Sequence, residues 1–226
     1  VTDKSERGAQ SPGLPCGSAA SSGLSRRRWI EAAFGGALAL PLAGCQADTE
    51  RPRGRDGWFV PGEPFPVRRV NRERFEPTLR PTIVANVTGQ EPGSILIDTA
   101  GRHLYLSRSR DQALRYGIAV GTSGYAWKGS ATVGRMARWP AWYPTDEMRR
   151  DAPGIPARIP PGDDNPLGAR ALYLYRNGRD TLYRIHGTSE PWTIGTQASS
   201  GCIRMFNEDV IALYDQVHVG MKVVVP

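Results

Sequence analysis

The sequence predicts a mostly β fold: a sandwich-like domain of mixed sheets, with one short helix after Cys202 and a long aromatic-rich loop. Three observations lead there. The 26 Gly and 19 Pro among 226 residues favour turns and short strands over long helices. Short apolar runs bounded by turn residues recur from Ile83 onward. Helical spacing is clear only over Val210, Ile211, Leu213, Tyr214 and Val217, with Asn207 as the expected N-cap and Glu208 and Asp209 suited to the positive helix end.

Taken in order, residues 1–24 are small, polar and aperiodic, and read as disordered. Ser25-Arg26-Arg27-Arg28-Trp29-Ile30 then precedes an apolar run from Ala32 to Ala43. That run is shorter than the about 20 residues needed to cross a bilayer core. Basic residues, a weakly apolar stretch and a small-residue cleavage site describe a secretory signal over residues 1–44. The Ser-Arg-Arg-x-aromatic-Ile pattern resembles a twin-arginine export signal, and Leu42-Ala43-Gly44-Cys45 resembles a lipobox. In that resemblance Cys45 becomes the acylated first residue of a periplasmic protein held to a membrane by lipid. Two or three acyl chains anchor firmly where one is marginal.

Residues 45–82 are expected to form a Pro- and Arg-rich linker or surface-packed extension. Pro52, Pro61, Pro64, Pro66 and Pro77 keep it non-helical. Trp58, Phe59, Phe65 and Phe75 are too many aromatics for a pure spacer, so part of it should pack along the domain.

The domain proper is placed at residues 83–226. Ser94–Asp98 and Arg102–Leu106 read as a hairpin, Tyr116–Val120 as a further strand, and Met221–Val225 as the closing one. Residues 125–169, with Trp127, Trp139, Trp142 and Tyr143, read as a long irregular insertion: an ordered lid or groove wall, or simple edge packing. Ala169–Tyr175 and Asp180–His186 flank Asn177-Gly178, a pair suited to a type I′ hairpin turn. His186 then ends a strand, leading into Gly187.

Charge and cysteines narrow the function. The net charge is +7, but residues 1–44 hold five of the basic groups, and no basic helix or RNA-binding signature follows, so a nucleic-acid partner is not expected. A modest positive field also suits a carboxylate-rich polymer. The three His are scattered without acidic partners at ligand spacing, which argues against a metal, and no cofactor motif is present. Of the three cysteines, Cys16 leaves with the signal and Cys45 carries lipid, so Cys202 is the thiol that remains. In an oxidising compartment an unpaired thiol is a liability unless it is used.

Cys202 follows His186 by sixteen residues, with Gly187 after the His and Gly201 before the Cys. A thiol attacking a carbonyl needs a base within reach and backbone N–H groups for the oxyanion. A papain-like peptidase is a poor match, because there the Cys precedes the His.

Asn165-Pro166-Leu167-Gly168-Ala169-Arg170-Ala171-Leu172, Tyr183-Arg184-Ile185-His186-Gly187-Thr188, Ile194-Gly195 and Ser199-Ser200-Gly201-Cys202-Ile203-Arg204-Met205 together resemble the L,D-transpeptidase catalytic domain, over roughly residues 93–226. Ser200 stands where many members carry a second His. The resemblance implies Cys202 as nucleophile and His186 as its base, paired as thiolate and imidazolium. It further implies a main-chain carbonyl orienting the His, with Gly187 the candidate. Gly201 and Cys202 would supply the oxyanion hole, and Ser199 would brace the turn or bond His186. Ser200 and Trp192 would contact substrate, and Arg204 would either grip a stem carboxylate or form a structural salt bridge. The implied partners are peptidoglycan stem peptides, with carbapenem-type β-lactams as covalent inhibitors. The implied reaction is stem-peptide cross-linking through a Cys thioester. L,D-carboxypeptidase action, attachment of a protein to the wall, and a non-catalytic wall-binding lipoprotein are the alternatives.

Overall fold

The computed structural model describes residues 58–122, 128–199 and 201–226. The export signal and Cys45 lie outside them. The strands are β1 (Thr82–Ala85), β2 (Ser94–Asp98), β3 (His103–Ser107), β4 (Gln112–Gly117), β5 (Val120–Gly121), β6 (Gly129–Arg138), β7 (Arg170–Arg176), β8 (Arg179–His186), β9 (Gln197–Ser199), β10 (Ile203–Arg204) and β11 (Lys222–Val225). Two α-helices join them, α1 (Asp146–Asp151) and α2 (Asn207–Tyr214).

Nine strands form one mixed sheet in the order β1-β4-β3-β2-β11-β6-β7-β8-β10, and β5 and β9 form a parallel pair of their own. Within the large sheet β2–β11 and β8–β10 are parallel and the other pairs antiparallel. The mostly β, mixed-sheet expectation therefore holds, with one short helix after Cys202. Tyr116 of β4 and Ile203 of β10, near opposite ends of the sheet, share one apolar cluster with Ile97, Leu104, Val133, Leu172, Ile185 and Val223. A single sheet can do this only by curling around its own core. Val210 and Leu213 of α2 belong to the same cluster, so the helix buries its apolar stripe against that sheet.

The turn at Asn177-Gly178 has both φ values positive, 51° and 74°, as a type I′ hairpin requires. The long insertion is corrected. Residues 129–138 are not irregular but form β6, a ten-residue strand between β11 and β7. Its pattern is hard to read because a bulge at Val133–Arg135 breaks the alternation, and Gly134 lets the Tyr175 ring lie across the backbone. The remaining loop packs. Buried Asn165 donates to the carbonyls of Pro140 (3.0 Å), Ile159 (3.2 Å) and Pro160 (2.8 Å), and Trp142 bridges Ile159. Trp139 is buried against Phe65, ring centroids 4.8 Å apart.

Phe65 belongs to a strap, residues 58–79, running along the domain. Val67 is buried in the cluster with Trp139, and Val60 N–H bonds the Val67 carbonyl at 2.9 Å. Two ionic clamps fasten the strap. The Glu63 carboxylate meets Arg170 (2.5 and 2.9 Å) and the Trp139 indole N–H (2.7 Å). Arg72 binds Glu208 and Asp209 at the start of α2, while its guanidinium lies 4.1 Å over the Phe206 ring.

Candidate active site

The parallel pairing of β8 and β10 sets Ile185 beside Ile203 and His186 beside Arg204. Paired residues in adjacent strands point to the same face, and successive residues alternate. Ile185 and Ile203 enter the core, which puts His186 and Arg204 on the opposite face. Cys202, one step before β10, falls on that same face next to Arg184. The thiol and the imidazole, sixteen residues apart in the chain, are thus diagonal neighbours on one sheet face.

β8 is bent immediately before this pair. Its register against β7 slips between Tyr173 and Tyr175, and Leu182 takes a φ of 64°. Such a bulge re-aims the strand next to a site. Here it turns the Leu182 carbonyl towards the Cys202 sulfur, 3.8 Å away.

His186 is buried, and its Nδ1 lies 2.6 Å from the Gly187 carbonyl oxygen. A carbonyl only accepts, so Nδ1 carries the proton and Nε2 is left as the basic nitrogen. The orienting group is therefore the one the resemblance implied. Burial pulls the imidazole down to about 4, with the Arg204 and Arg184 charges adding to the fall and the Gly187 bond opposing it. Burial also pushes the Cys202 thiol up, against a backbone bond from Arg184 and the Arg184 and Arg204 charges. Burial thus acts against the charged form of each partner, and so against the expected thiolate–imidazolium pair.

Asn207 corrects the N-cap expectation. Phe206 occupies that position, and the Asn207 side chain serves the site. Its Oδ1 accepts from Ala169 N–H (3.0 Å) and Thr188 N–H (3.2 Å), and its Nδ2 donates to the Thr188 carbonyl (2.9 Å). It ties together the start of β7 and the segment that follows His186. Gly187 must be glycine for this, since an added Cβ would run into Asn207 Oδ1.

Gly201, φ 117°, passes close to β5: a Cβ on Gly121 would lie 2.7 Å from Gly201 Cα. Ser199 ends β9, and Ser200 lies outside the described residues. Trp192 sits in the short 3-10 turn Pro191–Thr193 and is 67% exposed. Arg204 reaches the face but pairs with Glu190 at 2.8 Å, so part of its donor capacity goes to that ion pair. The sequence offered Asn207 only as a helix cap and gave Arg184 no task. Among the described residues no cluster of three His, Cys, Asp or Glu is placed to hold a metal ion. No helix among them is long and apolar enough to cross a membrane.

Residues 92–225 match the family model of the YkuD L,D-transpeptidase catalytic domain. The chain is 43% identical over 96 residues to the probable L,D-transpeptidase ErfK/SrfK of Escherichia coli, covering 41% of this chain and 29% of that protein. It is 36% identical over 138 residues to the probable L,D-transpeptidase YbiS of E. coli, covering 57% of this chain and 43% of that one. The chain thus spans less than half the length of either relative. A crystal structure described as a probable carnitine operon oxidoreductase from Brucella melitensis is 46% identical, covering 69% of this chain and 99% of that one, with a TM-score of 0.47. That description names an activity different from the family's, and a likeness at that score carries no argument for it.

Proposed function

The chain belongs to the L,D-transpeptidase catalytic domain family, and on that premise we propose that it is a peptidoglycan L,D-transpeptidase acting through a Cys202 thioester. The observation that carries this reading is His186. Its Nδ1–H is tied to Gly187, which leaves Nε2 as the base on the face that holds Cys202.

In the proposed reaction Nε2 of His186 takes the Cys202 proton as the sulfur attacks the carbonyl at the L-centre of diaminopimelate in a donor stem. The oxyanion is received by the N–H groups of Gly201 and Cys202. Loss of one such donor costs on the order of 10²–10³ in rate in other acyl-transfer enzymes. Collapse of the tetrahedral intermediate breaks the amide, and the imidazolium returns the proton to the departing D-alanine amine. A side-chain amine of a second stem then attacks the thioester, His186 taking its proton and passing it to the sulfur.

Three acyl acceptors share this chemistry: a stem amine, water, and a protein amine. Purified protein incubated with diaminopimelate-containing tetrapeptide stems separates the first two by mass spectrometry. A diaminopimelate–diaminopimelate dimer is expected. Tripeptide alone would mean hydrolysis, and an unchanged substrate would contradict the reading.

The same proposal includes export and anchoring. The twin-arginine-like pattern before Ala32 and the lipobox-like Leu42–Cys45 support a domain exported to the periplasm and held on a lipid carried by Cys45. Membrane-fractionated protein that stays bound after Cys45→Ser would contradict the anchor.

A further inference from the structure

Arg184 lies on the face of β8 that carries His186 and, across the β8–β10 pairing, beside Cys202. The strand registers set it in a row with Tyr173 and Arg135. Its guanidinium lies 4.7 Å from the centroid of the Tyr173 ring, and Arg135 covers the same ring at 3.4 Å. This stacking fixes the plane of the Arg184 head group. Asp180, four residues back across the bulge, accepts from Nη2 at 3.1 Å. The remaining terminal nitrogen, Nη1, is buried and has no hydrogen-bond partner among the described residues, and the side chain as a whole is only 17% exposed. A buried guanidinium N–H without an acceptor costs stability, and such a cost persists where a ligand supplies the acceptor. Arg204 differs, since its Nη1 already meets Glu190.

We infer that Arg184 is a specificity-determining residue that grips the carboxylate of the residue expelled from the acyl donor, and so docks the scissile carbonyl against Cys202. This rests on the stem-peptide reading above. The spacing fits. Adjacent strands lie about 4.8 Å apart. The terminal carboxylate of a donor stem lies within about 3–5 Å of its scissile carbonyl carbon, by standard bond lengths. A carbonyl at the Cys202 sulfur therefore brings that carboxylate to the neighbouring strand position, which is Arg184. An ionised carboxylate paired to a fixed guanidinium N–H is a strong, directional contact. The Arg184 charge is also the first of the side-chain charges acting to lower the thiol, consistent with its closeness to the sulfur.

The test is calorimetric binding of a tetrapeptide stem, as free acid and as C-terminal amide, to the Cys202→Ala protein, alone and combined with Arg184→Met or Arg184→Lys. The free acid should bind at least about tenfold more tightly than the amide. Arg184→Met should abolish that preference by weakening the acid alone, and Arg184→Lys should restore part of it. In the protein that retains Cys202, Arg184→Met should raise KM for the acid donor more than for the amide donor. Equal weakening of acid and amide, or a preference that survives Arg184→Met, would overturn the inference and leave the stem-peptide reading standing. Failure of the Cys202→Ala protein to bind either peptide would overturn both.

Discussion

The imidazole of His186 donates from Nδ1 to the main-chain carbonyl of Gly187, its own neighbour, at 2.6 Å. That bond favours the imidazolium, but burial outweighs it and pulls the imidazole down to about 4, below the range of a solvated His.

Stability should record this. The folded imidazole titrates near 4 and an unfolded one near 6.5. Between those values the unfolded chain binds a proton that the folded chain does not, so stability rises with pH across this window. The contribution is full above about 6.5 and is lost as pH falls through about 4, on the order of 3 kcal/mol in all. Asp209 works in the opposite sense. Burial raises its carboxyl to about 6 despite Arg72, so its contribution is full below about 3.9 and is lost as pH rises through about 6. Urea unfolding of wild type and His186→Gln at pH 4.5 and 7 isolates the first effect. The stability of wild type relative to the variant should rise between those pH values, and an identical pH dependence in both proteins would contradict the lowered imidazole.

The Glu63–Arg170 pair is a second fixed point. Both side chains are almost wholly buried, 5% and 1% exposed. Burial works to raise the Glu63 carboxyl, but the bonds from Arg170 and Trp139 prevail and hold it below its ordinary value. Glu63→Ala leaves the Arg170 charge uncompensated and should cost about 3–5 kcal/mol. Glu63→Met with Arg170→Met should recover most of that loss, because an apolar pair of similar volume has no charge to desolvate. Chemical denaturation of the three variants checks this. A single-variant loss below about 1 kcal/mol would mean the strap is not fastened there.

Asn207 gives a graded prediction. Asn207→Ala strands the N–H groups of Ala169 and Thr188 and the Thr188 carbonyl, at about 1–3 kcal/mol for each group left buried. Asn207→Asp keeps both accepted bonds and loses only the donated one. Thermal unfolding should rank wild type above Asp and Asp above Ala. The rate of Cys202 acylation should follow the same order, since Asn207 fixes the segment after His186. An Asp variant worse than Ala would contradict this placement.

Much of the site was legible because its chemistry is local in sequence. His186-Gly187 and Gly201-Cys202 advertise a base, a nucleophile and close backbone approach. The hairpin around Asn177-Gly178 could be read because only certain residues accept two positive φ values in succession. What stayed hidden depends on contacts that no spacing encodes. β6 was obscured by a glycine bulge, and Asn207 looked like a cap because Asn caps helices well. Arg184 was a strand residue like any other until the β8 bulge and the β8–β10 register placed it beside Cys202. The burial that acts against the charged forms of the Cys–His pair cannot be seen from the two residues alone.

The central claim is that Cys202 forms a covalent acyl-enzyme. Intact-protein mass spectrometry after incubation with a carbapenem tests it directly. One covalent adduct per chain is expected in wild type and none in Cys202→Ala. Wild-type protein that remains unmodified, or an adduct that survives in Cys202→Ala, would contradict it.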